Sequence, residues 1–353
     1  MEKERTIKLV PIMWEQLPKI GLNLVGRHRH KGREEKSTMN SNAEHAPVEN
    51  PSQEPEREPC KEQRAPLGVF LRTAQDNEIK HRFLEELNDI LKKDPVADKY
   101  CLLSMFEPDD SISTYELDRI YNALIGMNPK KDKHVLLMLL SRGGSIEPAY
   151  QISKLCKSFS AGKFLATVPR QAKSAATLIA LGADEIHIGP LGQLGPIDPQ
   201  VGGLPALGVA QALNTIATLS EKHPGSADMF ARYLRLALTV EQIGYCDRIS
   251  ESAVQYAERL LSAKQFSQER VSRIARELVH EYKDHGFVID LAEAQLHLGD
   301  EWVKTGTEEL ALSEKVYELF DIYNLFLNVY TTKRLLVVGR LDRDVQVFKD
   351  QRN

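Results

Sequence analysis

Between Asn77 and Leu91 the apolar side chains fall at Ile79, Phe83, Leu84, Leu87, Ile90 and Leu91, the spacing of one face of an amphipathic helix. The pattern then alternates. Tyr100–Phe106 is a short apolar run suited to a buried strand. Asp110-Ser111 offers a cap region, and Tyr115–Leu124 reads as helix. Val135–Leu140 is a second continuous apolar run, as a parallel strand covered on both faces requires. Ile146–Phe159 reads as helix, Lys163–Val168 as strand, Lys173–Gly182 as a helix rich in small residues, and Glu185–Ile188 as a fourth strand. Strands and helices in this order predict an α/β fold around a parallel sheet. From Ala206 to Leu327 the pattern is almost entirely helical, with segments near 206–222, 226–239, 251–263, 267–282, 290–298 and 308–327. Pro224, Gly244, Gly286 and Gly306 are among the breaks between them. Arg334–Val338 suits a late strand, and there is no internal repeat.

The N-terminal residues stand apart. Between Arg27 and Arg64 there is no Phe, Trp or Tyr, and Pro47, Pro51, Pro55 and Pro59 recur among Glu, Gln, Asn and Ser. Such a segment buries too little apolar surface to offset its ordering entropy. The expected organisation is therefore a tail or short helix over 1–26, a disordered linker over 27–64, and one folded domain over 65–353. The basic run Arg27-His28-Arg29-His30-Lys31 reads as a solvated patch.

Composition adds exclusions. Of 353 residues, 42% are hydrophobic and 27% charged, and the net charge is -4. That balance gives no electrostatic reason to expect nucleic acid or an anionic membrane as partner. No stretch reaches the roughly 18 apolar residues of a membrane span, and Met1–Val25 lacks the apolar centre of a signal peptide. A cytoplasmic location is expected. Cys60, Cys101, Cys156 and Cys246 form no C-x-x-C pair, which argues against a zinc site or a disulfide framework and for reduced cysteines, at least two of them in a core. No ligand cluster or phosphate loop is apparent, so no metal or organic cofactor is expected.

Two loops carry chemistry. Ser141-Arg142-Gly143-Gly144-Ser145 joins a buried strand to a helix. Paired glycines permit positive φ and leave their amides uncovered, the makings of an oxyanion hole; a turn that merely needs glycine is the alternative. Pro169-Arg170-Gln171-Ala172-Lys173-Ser174-Ala175-Ala176-Thr177 also lies between strand and helix. It places Ser174 near a helix N-terminus at the carboxyl edge of the sheet, where open α/β sheets hold their sites. There Ser174 is either a nucleophile or a helix cap. Together the loops offer donors and a hydroxyl side by side, the minimum for acyl transfer.

The run Ala172-Lys173-Ser174-Ala175-Ala176-Thr177-Leu178-Ile179-Ala180-Leu181-Gly182-Ala183-Asp184-Glu185-Ile186, followed by Leu194-Gly195-Pro196-Ile197-Asp198-Pro199-Gln200, resembles the serine dehydrogenase proteinase family, a distant relative of the Clp protease proteolytic subunit and of signal peptide peptidase A. The resemblance implies the spiral β-β-α fold of the ClpP/crotonase superfamily with a helical C-terminal half. It also implies a serine peptidase with Ser174 as nucleophile, the Gly143-Gly144 loop as oxyanion loop, and amide donors from Gly144 and Ala175. Arg142 stands where relatives have proline, and Ala175-Ala176 where a glycine pair is more usual. Because this fold usually assembles into rings or stacks, a homo-oligomer acting on a peptide or protein substrate is expected.

The base is less defined. Pro199 stands where a Clp-type histidine would fall. A Ser–Lys dyad of the signal peptide peptidase kind would use Lys222, 48 positions after Ser174, if desolvation lowered its pKa. A Ser-Asp-His order would use Asp198 and His285, with Asp247 as another acid. Each has a bland alternative: a solvated helix-end Lys222, a turn-ordering Asp198, a His285 at a helix C-cap. His187, between Ile186 and Ile188, reads as a packed or edge histidine. Two rival functions share the fold: a crotonase-like enzyme of acyl-coenzyme A thioesters, and an inactive scaffold that recruits partners through residues 1–64.

Overall fold

The apolar run at 135–140 is continuous because its strand is buried on both faces. In the computed structural model, which describes residues 65–108, 111–127, 133–201 and 204–349, Val135, Leu137 and Leu139 point into one core while Leu136, Met138 and Leu140 point into another. A strand's side chains alternate sides, so with no solvent face every position is apolar. The expected tail, linker and basic run, and Cys60, lie outside the described residues.

The elements in chain order begin with α1 (Leu67–Thr73), α2 (Asp76–Lys93), α3 (Val96–Lys99), β1 (Tyr100–Glu107), α4 (Thr114–Met127), β2 (His134–Ser141), α5 (Ile146–Phe159) and β3 (Phe164–Val168). They continue with β4 (Gln171–Ala172), α6 (Ala175–Leu181), β5 (Glu185–Ile188), β6 (Gln193–Leu194), β7 (Gln200–Val201) and β8 (Leu204–Pro205). The helical part holds α7 (Ala206–Lys222), α8 (Ala227–Ala237), α9 (Val240–Leu261), α10 (Gln268–Arg276), α11 (Leu291–Leu298) and α12 (Glu308–Tyr330), with β9 (Val303–Lys304) between the last two. Strands β10 (Lys333–Arg340) and β11 (Val345–Lys349) complete the order.

The main sheet runs β11-β10-β1-β2-β3-β5-β9. Its pairs from β1 to β9 are parallel, and β10 joins β1 antiparallel. At the carboxyl end β2 outlasts β3 and pairs instead with β4, through Ser141 and Ala172; β4 then pairs with β6. Strands β4 and β6 thus branch from the main path of the sheet at β2, and β4 leads into Ser174. One face of the sheet is covered by α4, α5, α6, α9 and α10, the other by α1, α2 and α12.

Most predicted elements form within a residue or two of their expected bounds. Three differ. Helix α4 is capped from Ser113, whose Oγ accepts the Tyr115 amide at 3.1 Å while the Glu116 carboxylate takes the Ser113 amide at 2.7 Å. Gly244 does not interrupt α9, because Thr239 and Gln242 cap each other's backbone and the later turns are buried on Ala253, Val254, Ala257 and Leu260. The segment expected over 267–282 divides, α10 giving way to a π-helical turn at Glu277–Glu281. Cys101, Cys156 and Cys246 are buried thiols.

Candidate active site

The strand–loop junctions at the carboxyl end of β2 and β4 bring the two chemistry-bearing loops into contact. Ser141 closes β2 with its hydroxyl buried; it donates to Glu107 Oε1 at 3.1 Å and accepts the Gly143 amide at 3.1 Å. Its carbonyl accepts the Lys173 amide at 3.0 Å. Ser141, two residues before the first glycine, and Lys173, the residue before Ser174, are therefore hydrogen-bonded to each other.

Both glycines are needed for space as well as for dihedral angle. Gly143 has φ 103° and Gly144 φ 154°, values that side chains rarely adopt. A Cβ on Gly143 would lie 2.6 Å from the Ser174 Cβ. One on Gly144 would collide with the backbone of Ile112, whose N–H and C=O bond to the Gly143 carbonyl at 2.9 Å and the Ser145 amide at 2.8 Å. The amides then divide. That of Gly143 is engaged by Ser141, so Gly143 contributes proximity rather than a donor. Those of Gly144 and Ala175 make no hydrogen bond among the described residues.

Ser174 is the one described non-glycine residue at positive φ, with φ 52° and ψ -122°. It sits at the N-cap position of α6, yet its side chain caps nothing. Other groups brace the helix start: the Ala176 amide donates to the Lys173 carbonyl at 2.9 Å, and Thr177 Oγ1 donates to the Ala172 carbonyl at 2.7 Å. Thr177 Oγ1 also accepts the Gly195 amide at 3.0 Å, tying α6 to the segment that carries Asp198. The hydroxyl of Ser174 is left for chemistry.

Asp198 and His285 lie 87 positions apart in sequence and meet at 2.7 Å, His285 Nδ1 on Asp198 Oδ1. Asp198 is buried, and its other oxygen accepts Gln200 Nε2 at 2.9 Å. Backbone pairing holds the two segments together: Leu194 and Ile289 exchange bonds of 2.9 and 3.1 Å, and the Ile197 amide donates to the Leu278 carbonyl at 2.8 Å. The carboxylate bond raises the His285 pKa above the ordinary 6.5, with burial opposing, Asp284 adding and Lys173 subtracting. With Nδ1 held by Asp198, Nε2 is the nitrogen that remains to take a proton. Ser174 Oγ and the imidazole do not hydrogen-bond in this conformation.

His285 is not at a helix C-cap; the helical turn before it ends at Glu281. Lys222 is the last residue of α7 and is exposed, as is Asp247 on α9. Helix α7 packs against α8, α9 and β8 rather than against the Ser174 loop. His187 is a packed histidine, its Nδ1 2.7 Å from Thr307 Oγ1 and its Nε2 3.3 Å from Glu185. Burial lowers its pKa.

Ser141, Glu107, Thr177 and Lys173 escape sequence reasoning, since nothing in their neighbours marks a buried hydroxyl or a lysine that bridges two loops. Among the described residues no group of three or more His, Cys, Asp or Glu could hold a metal ion, and no helix is long and apolar enough to cross a membrane.

Comparisons with known proteins follow this geometry. Two uncharacterized proteins of Methanocaldococcus jannaschii are similar: MJ0137 is 29% identical over 196 residues, 55% of this chain and 59% of that one. MJ1495 is 28% identical over 198 residues, 55% of this chain and 58% of that one. The match thus spans under two thirds of these relatives' own length. Among solved structures, the 1510-N membrane-bound stomatin-specific protease aligns with a TM-score of 0.39 at 15% identity, over 64% of this chain and 86% of that one. ClpP1 from Listeria monocytogenes aligns with a TM-score of 0.37 at 13% identity, over 64% of this chain and 98% of that one. The ClpP-like SDH-type serine proteinase family matches residues 112–338, a span that includes strands β2 to β9, both loops, Asp198 and His285. The fold is ClpP-like, as expected above, and the chain belongs to the ClpP-like SDH-type serine proteinase family.

Proposed function

We propose that this chain cleaves peptide bonds through an acyl-enzyme on Ser174, with His285 as general base and Asp198 as its orienting acid. The observation that carries the proposal is the pose of Ser174: an L-residue held at φ 52°, capping nothing, against Gly143. A substrate carbonyl would lie along the glycine loop with its oxygen between the Gly144 and Ala175 amides, which stabilise the charge that develops there. His285 Nε2 takes the Ser174 proton as Oγ attacks and returns it to the leaving amine. Water then enters by the same base and releases the acid. In apo structures such serine–base contacts are often long and tighten only with substrate.

The Ser–Lys alternative has less support. A lysine base needs desolvation to lose its proton near neutral pH, and Lys222 is exposed on a helix end. The substrate is a peptide or protein, and the working form is a homo-oligomer.

The test is labelling with a serine-directed fluorophosphonate. The wild type is expected to be labelled, Ser174→Ala not at all, Asp198→Ala and His285→Ala at rates roughly a hundredfold lower or less, and Lys222→Ala at the wild-type rate. Loss of labelling in Lys222→Ala with retention in His285→Ala would reverse the choice of base. No labelling of the wild type would remove the serine reading and favour a crotonase-like chemistry or a scaffold.

A further inference from the structure

Lys173 immediately precedes the nucleophile, yet its ammonium reaches the other half of the site. Its Nζ donates to the Gly286 carbonyl at 2.8 Å, one residue after His285. Its backbone is committed on the opposite side, the amide to Ser141 at 3.0 Å and the carbonyl to Ala176 at 2.9 Å. The stem lies on Gly195, where a Cβ would come within 3.2 Å of Lys173 Cβ and Cγ. One residue therefore touches the glycine-loop strand, the start of α6, the Asp198 segment and the histidine turn.

The turn needs such an anchor. From Tyr282 to Val288 it belongs to no helix or strand, and Phe287 and Val288 are exposed. Its hydrogen bonds at 284–287 are internal, the Gly286 amide to Asp284 Oδ1 at 3.2 Å and the Phe287 amide to the Asp284 carbonyl at 3.0 Å. What ties those residues to the nucleophile side is His285 on Asp198 and Lys173 on Gly286. A segment with so little burial is among the first to open locally, and a histidine displaced by an ångström is a poor base.

Charge points the same way. The ionisable groups facing His285 are Asp198 and Asp284, which favour its protonated form, and Lys173, which opposes it. Lys173 in turn faces Asp284 and, from the glycine loop, Arg142. A protonated imidazole cannot accept the serine proton.

We propose that Lys173 is a positioning residue that holds the His285 turn against the Ser174 loop and places its charge beside the imidazole, an inference that rests on the Ser174, His285 and Asp198 reading above. Three substitutions separate its two effects. Lys173→Arg keeps the charge and a donor, Lys173→Gln keeps a donor without the charge, and Lys173→Met keeps neither.

The measurement is the rate of fluorophosphonate labelling against pH on the full chain, with thermal melts to verify folding. In Lys173→Met the acidic limb is expected to move to higher pH and the plateau rate to fall roughly tenfold. Lys173→Gln is expected to show the moved limb with a smaller fall, and Lys173→Arg to return the limb to its wild-type position. A plateau unreduced and a limb unmoved in both Lys173→Met and Lys173→Gln, with the wild type labelled at Ser174, overturn this proposal alone. No labelling of the wild type at any pH overturns it together with the serine reading.

Discussion

Ser174 holds a backbone conformation that its side chain disfavours. An L-residue at φ 52° and ψ -122° carries strain of about 1–3 kcal/mol, of the kind that persists only where surrounding structure imposes it. Here the Lys173 amide on Ser141, the Thr177 bond to Ala172 and the contact with Gly143 impose it. Glycine would relieve that strain and alanine would not. Ser174→Gly is therefore expected to melt a few degrees above Ser174→Ala, the relief exceeding the entropy that glycine adds to the unfolded chain by about 1 kcal/mol. A Ser174→Gly variant that melts below Ser174→Ala would mean that the pose is unstrained. The identity of Ser174 was legible from its small neighbours and family-like run, but its dihedral angle was not. No local sequence feature marks a serine forced into this region. Likewise Asp198 and His285 were legible as candidates only, because their bond depends on Leu194 meeting Ile289 across a long stretch of helices.

At the scale of elements, what could be read was what packing dictates locally. Strands β1, β2 and β3 are buried on both faces and announce themselves as apolar runs. The two-residue strands β4 and β6 cannot, although β4 leads directly into the Ser174 loop. Helices α7 and α8 form the opposite case, legible as helices but hardly packed. Of the 17 residues of α7 only Ala206 is buried, and none of the 11 residues of α8 is. Met229, Tyr233, Leu236 and, at the start of α9, Val240 are exposed. Short isolated helices are marginal in water, and in the homo-oligomer proposed above a second copy of the chain would cover this apolar face. Leu236→Asp with Tyr233→Asp is expected to reduce the assembled fraction in sedimentation velocity while leaving the core melt unchanged. An unaltered distribution would exclude α8 from the subunit contact.

The proposed site draws on distant parts of the molecule: Ser174 from the loop after β4, Asp198 from the segment after β6, and His285 from the helical half. Its pH dependence reports whether these parts have come together. The Asp198 bond raises the His285 pKa above 6.5, and the sign of each consequence follows. A histidine whose folded pKa exceeds its unfolded one contributes stability that is present below the unfolded value and lost as pH rises through the folded value. Activity runs the other way, since His285 must be neutral to act as base. Labelling of Ser174 should therefore climb with pH through a midpoint above 6.5, over the same interval in which the stabilising contribution of the pair disappears. Asp198→Asn removes the charge and keeps the shape. Its acidic limb is expected at lower pH than that of the wild type, its plateau rate roughly a hundredfold or more lower for want of an oriented imidazole, and its melting temperature less sensitive to pH on the acid side. A limb that stays in place in Asp198→Asn would mean that the group titrating in catalysis is not His285, and the base would have to be sought elsewhere in the fold.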